Sequence, residues 1–139
     1  MRRGARLFDR IVVCVAPDGG STWLPQALRV DLFRQAVADV ENVEVEPFEG
    51  LLTDVAKSRG AAALLRGVRT VRDFEYEKEM AFANRDLAPG VETVVLTPSA
   101  DTALVSSSLV REVARLGGDV SAWVSPVVDA AVKRRVQGA

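Results

Sequence analysis

The run Ile11-Val12-Val13-Cys14-Val15-Ala16 is apolar throughout and rich in β-branched side chains. It shows no polar–apolar alternation, so it reads as a strand buried on both faces, as in a parallel sheet. Parallel neighbours cannot be joined by a tight hairpin; each pair needs a crossover, usually a helix. The following segments supply both parts. In residues 25–39, Val30, Phe33, Val37 and Val40 fall on one helical face. Residues 43–48 alternate and then meet Pro47, which reads as a strand near an edge. Leu52, Val55 and Ala56 form a short helical face that Gly60 can stop. Residues 61–67 read as another buried strand. Residues 73–87 read as a helix whose expected core face is Tyr76, Met80, Ala83 and Leu87, with Phe74 and Ala81 beside it. A strand over 91–98 and a helix over 106–116 follow, the helix burying Leu109, Val113 and Leu116. A last helix spans 125–136, with Ser125 as N-cap and Pro126 at its first position.

Strictly alternating elements imply an α/β fold: an open parallel sheet with helices on both faces and right-handed crossovers. Ligands of such sheets bind beyond the carboxyl ends of the strands. Loops 17–22, 48–52, 66–73 and 98–108 are therefore the places to look. The 139 residues suit a single domain.

Composition narrows the function. A net charge of −1 argues against a general nucleic-acid or membrane-surface binder, which needs a surplus of Lys and Arg. Cys14 is the one cysteine and sits in the apolar run, so neither a disulfide framework nor a thiolate metal cluster is expected. No apolar run is long enough to cross a membrane, and the basic start lacks the apolar stretch of a signal peptide, so a cytoplasmic protein is expected. There is no histidine, which removes the imidazole as base, ligand or electrophile within these residues.

Two loops carry chemistry. In Arg66-Gly67-Val68-Arg69, two guanidiniums flank a glycine at a strand end, a pattern that suits phosphate oxygens. The same arginines could instead pair with Asp73, Glu75 and Glu77 in a solvated loop. Glu77 lies beside the apolar stripe, where it could accept ribose hydroxyls, pair with an arginine or form the rim of a buried face. The second loop ends in Ser106-Ser107-Ser108. One serine explains an N-cap; three at a helix N-terminus also make an anion site. The glycine-containing loop 17–22 fits neither a P-loop nor a dinucleotide fingerprint.

In combination, "FEGLL", "LLRGVRTVRDFEYEKEMAFANRDLAPGVETVVLTPS" and "VSSSLVREVARLGGDVSAWVSP" closely resemble the bacterial phosphopantetheine adenylyltransferases of coenzyme A biosynthesis, over nearly the whole chain. The resemblance implies a Rossmann-like nucleotidylyltransferase fold, usually a homohexamer, that joins ATP and 4′-phosphopantetheine into dephospho-coenzyme A and pyrophosphate with Mg2+. By position, Arg66 resembles the arginine on the phosphopantetheine phosphate and Leu52 a pantetheine contact. Gly67, Val68, Arg69 and Glu77 resemble ATP contacts, as do Leu104, Val105, Ser106, Ser107 and Ser108. The match starts after the family's first strand and its G-x-F-D-P-x-T-x-G-H segment. The expected domain, 1–139, is thus amino-terminally truncated, its first strand missing, and no catalytic residue carries over because the family histidine is absent. Gly20 stands where the family has a substrate-binding lysine, and Thr102 where it has an aromatic residue. A non-catalytic nucleotide-binding relative and an adenylyltransferase for another phosphate acceptor remain open alternatives.

Overall fold

The computed structural model describes residues 1–20 and 22–138. Ser21, within the expected loop 17–22, lies outside the described residues. The elements run in the order β1 (Ile11–Val15), α1 (Gln26–Ala36), β2 (Val43–Pro47), α2 (Leu52–Ser58), β3 (Ala63–Gly67), α3 (Val71–Leu87), β4 (Glu92–Leu96), α4 (Ser107–Arg115) and α5 (Pro126–Val136). This is the alternating pattern of an α/β, Rossmann-like fold. Pairing is parallel throughout, with β1 on β2 and β3 on β4, as two two-stranded sheets. Each pair is joined by the helix between its strands. The registers match Val13 to Val45 and Leu65 to Val94.

The chain packs as two compact units, Met1–Pro47 with Val105–Ala139, and Phe48–Leu104. In the first, β1 buries Ile11, Val13 and Val15 and leaves Val12 and Cys14 half-buried. It therefore alternates, where burial on both faces was expected. Helix α1 packs on β1 and β2 and touches α5. Gln26 Nε2 donates to the Val15 carbonyl at 2.8 Å, tying the start of α1 to the end of β1. Helices α4 and α5 enclose a core of Val110, Ala114, Val120 and Val132, flanked by Trp23 and Val128. The Arg115 guanidinium lies 4.9 Å from the centre of the Trp23 ring.

In the second unit, Ala56, Leu64, Ala88 and Val91 form the core, with Leu52 and Ala61 against it. Gly60 takes φ +60 just past α2, a left-handed backbone that glycine adopts without strain and that ends the helix as expected.

Helix positions follow the sequence, but several helix faces do not. In α1, Phe33 is exposed and Leu32 is buried. In α4, Leu116 is 80% exposed and Leu109 lies at the surface, while Val110 and Ala114 go inward. The largest departure is α3. Its expected core face, Tyr76, Met80, Ala83 and Leu87, is exposed, as is Phe74 beside it, and its one buried residue is Glu77. The stripe Asp73–Glu77–Ala81–Asn84–Ala88 is the less exposed side, and the pairing of Glu77 described below accounts for that turn. Ser125 occupies the N-cap of α5, but its hydroxyl makes no capping bond and is buried without a partner.

Candidate functional site

The second unit holds the arginine loop. Strand β3 ends at Gly67, so Arg66 is delivered at the carboxyl end of a parallel strand. Its Nε and Nη2 donate to the two carboxylate oxygens of Glu77 at 2.7 and 2.8 Å. This is a side-on bidentate pair, the strong form of a charge-assisted bond. Glu77 is only 9% exposed, whereas the Arg66 side chain keeps 38% of its surface in solvent. The hydrogen bonds that Arg66 donates to Glu77, with the carboxylate's charge, raise the Arg66 pKa above its ordinary value, so the cation is permanent. Three N–H groups of the guanidinium remain beyond those two bonds. No atom lies near the position a Gly67 side chain would take, so the backbone beside Arg66 is open to approach.

Val68 continues the strand by one bond, its N–H donating to the Leu96 carbonyl at 3.1 Å, and its side chain is buried. A ligand could therefore meet Val68 only through its carbonyl. Arg69 is held differently from Arg66. Its backbone N–H donates to Asp73 Oδ2 at 3.1 Å, and its guanidinium approaches the same oxygen at 3.5 Å. The Asp73 N–H in turn donates to Thr70 Oγ1 at 3.1 Å, making Thr70 the N-cap of α3. The Arg69 N–H, followed by Thr70, holds the Asp73 carboxyl below its ordinary value. Arginine pairing with Asp73 and Glu77 thus occurs. Thr70 escaped the sequence reading, although Thr-x-x-Asp before a helix is a capping signature. Leu52 opens α2 and is half-buried against the core of its unit. Leu104 is 87% exposed.

The first unit holds the serines. Ser106 is the N-cap of α4, its Oγ accepting from the Leu109 N–H at 3.0 Å. Ser107 and Ser108 are exposed, and Ser108 Oγ receives a long bond of 3.4 Å from Arg111. One hydroxyl therefore serves the helix and two face solvent beside free N–H groups. Val105 is half-buried and packs against the core of this unit. Asp18, Gly19, Gly20 and Thr22 border a cavity of about 570 Å³ lined also by Trp23, Arg134 and Arg135. Asp18 is tied to Arg29 at 2.8 Å.

A family model described as cytidylyltransferase-like matches residues 1–113. A phosphopantetheine adenylyltransferase from Acidovorax sp. (strain JS42) is 50% identical over 129 residues, 92% of this chain and 78% of that protein. Those of Methylococcus capsulatus and Alkalilimnicola ehrlichii are 47% and 48% identical, over 98% and 99% of this chain and 85% and 81% of theirs. The chain belongs to the phosphopantetheine adenylyltransferase family. Gly20 and Thr102, both singled out in the sequence, sit in tight turns. Gly20 has φ +56, a left-handed backbone in which a lysine would be strained. Thr102 closes a turn on Ser99, its N–H donating to the Ser99 carbonyl at 3.1 Å. Among the described residues no cluster of three metal-ligating side chains occurs, and no helix is long and apolar enough to cross a membrane.

Proposed function

We propose that this chain transfers the adenylyl group of ATP to 4′-phosphopantetheine, giving dephospho-coenzyme A and pyrophosphate. The observation that carries the reading is Arg66. It stands at the carboxyl end of β3, braced on one edge and exposed on the other, in a chain about half identical to enzymes of that name. An oxygen of the acceptor phosphate attacks the α-phosphorus of ATP. That P–O bond forms as the α–β P–O bond breaks, and pyrophosphate leaves with the electron pair. No covalent enzyme intermediate is required, so the protein contributes position and charge. Arg66 holds the acceptor phosphate and Leu52 lies along the pantetheine arm. Gly67 and the Val68 carbonyl approach the nucleotide, with Arg69 as a second cation. Leu104 and Val105 lead into Ser106–Ser108, where exposed hydroxyls and the N–H groups of α4 suit phosphate oxygens.

Magnesium enters as the partner of ATP. A homohexamer in the cytoplasm completes the proposal. Exposed Phe74 and Phe82, two turns apart on α3, are large aromatic side chains of the kind that association would cover.

The test is to incubate the purified chain with MgATP and 4′-phosphopantetheine and to follow pyrophosphate and dephospho-coenzyme A together. Stoichiometric appearance of both is expected. Binding of ATP with neither product, or turnover only when nicotinamide mononucleotide replaces phosphopantetheine, would overturn the reading.

A further inference from the structure

We propose that the cavity between the start of α1 and the end of α5 binds a nucleoside phosphate, with its phosphate on Arg134 and Arg135 and its ring body against Trp23 and Leu28. The site belongs wholly to the first unit and draws on none of the residues of the arginine loop. On α5, Ala131, Arg134 and Arg135 are spaced three and four residues apart, so they share one helix face, and all three line the cavity. Ala131 is buried and both arginines are exposed, which makes the floor apolar and the rim cationic. Half-buried Trp23 and Leu28 supply apolar wall from the other side of the sequence.

The charge of that rim is not cancelled. Asp18 is the one carboxylate among the described lining residues, and Arg29 holds it at 2.8 Å. Arg29 also donates to the carbonyls of Ala16 and Leu24, at 2.8 and 3.0 Å, so the pair is anchored to the loop. Lys133, the other cation in the last turn of α5, is paired with Asp129 at 2.7 Å. Arg134 and Arg135 make no ion pair among the described residues. One cation already serves the carboxyl-terminal dipole of α5, and two unpaired guanidiniums at a cavity mouth exceed that need. Arg115, 4.9 Å from the centre of the Trp23 ring, adds positive charge beside the same wall. At about 570 Å³ the space is much larger than a lone phosphate requires and falls in the range of roughly 300–1,000 Å³ of small-molecule sites. Guanidiniums suit phosphate oxygens through parallel N–H bonds, and an aromatic and aliphatic wall suits a base-sized ring. A nucleoside phosphate meets both demands.

The experiment is calorimetry on the full chain with adenosine monophosphate as the probe. It compares wild type, the Arg134→Ala/Arg135→Ala variant, and Ser107→Ala, which marks the proposed ATP site. The double arginine variant is expected to weaken the probe roughly tenfold or more, the scale of losing charge-assisted hydrogen bonds. Ser107→Ala should leave it within about twofold. Adenosine and inorganic phosphate each lack half of the ligand and should each bind at least about tenfold more weakly than the probe. Affinity that survives the double arginine variant, or that falls with Ser107→Ala, overturns the proposal. Inorganic phosphate that matches the probe also overturns it, since the apolar wall would then contribute nothing. A fluorescence reading needs no change at the arginines. The chain has two tryptophans, so in Trp123→Phe the indole emission is that of Trp23 alone. That emission should shift as adenosine monophosphate is added, and a Trp23 signal left unchanged at saturation overturns the proposal.

Discussion

Ser106 and its two neighbours divide between fold and ligand, and single substitutions separate the parts. Ser106→Ala removes the bond to the Leu109 N–H and should cost about 1 kcal/mol of stability. Ser107→Ala should leave thermal stability unchanged, since that side chain is exposed, yet weaken ATP binding in calorimetry. Equal effects on both properties at both positions would contradict this division. Asp73 gives a pH prediction. Its carboxyl titrates below the ordinary 3.8 because the Arg69 N–H and Thr70 favour the charged form. The stabilisation is therefore complete above that ordinary value and lost as pH falls through the lower folded value. Melting temperature should drop more steeply in acid for the wild-type chain than for Asp73→Asn. At this scale the sequence was informative about which residues matter. Arg66 and Glu77 were both singled out; their mutual bond was one of several open possibilities, because sequence spacing does not say which carboxylate an arginine meets.

Among the elements, strands were legible because short apolar runs bounded by turn signals, β-branched in Ile11–Val15 and leucine-rich in Ala63–Gly67, fit buried strands. Helix ends were legible where capping residues stood, as with Ser106 and Gly60. Helix orientation was not. Apolar periodicity predicts the inward face only when apolar burial is the sole force, and in α3 a buried ion pair competes with it. The end of α4 offers a test of packing. A methyl group on Gly118 would lie 2.5 Å from Val113 Cγ1 and 3.2 Å from the Val113 carbonyl oxygen. Gly118→Ala should therefore destabilise by about 1–3 kcal/mol in denaturant titration, the usual cost of overpacking. A neutral result would mean that Val113 moves aside without loss.

For the whole molecule, the α/β class and the parallel pairing follow from alternation alone, since consecutive parallel strands require crossovers. The sequence pattern does not say how many strands join one ladder, and two pairs form. Assembly can be probed through α3. Phe82 is 60% exposed, so Phe82→Glu should leave the fold intact and lower the mass measured by sedimentation equilibrium. An unchanged mass would remove α3 from the contact surface.

The division of the chain also sets a schedule for folding. Residues 48–104 are contiguous, whereas the other unit is assembled from segments on either side of them. On a ribosome the inner segment leaves the exit tunnel before α4 and α5 do. Its contacts are also shorter-range in sequence, which lowers the entropy of closing them. The arginine loop should thus reach its native pairing while Val30, Val37 and the rest of the outer segment still wait for the chain that follows Val105.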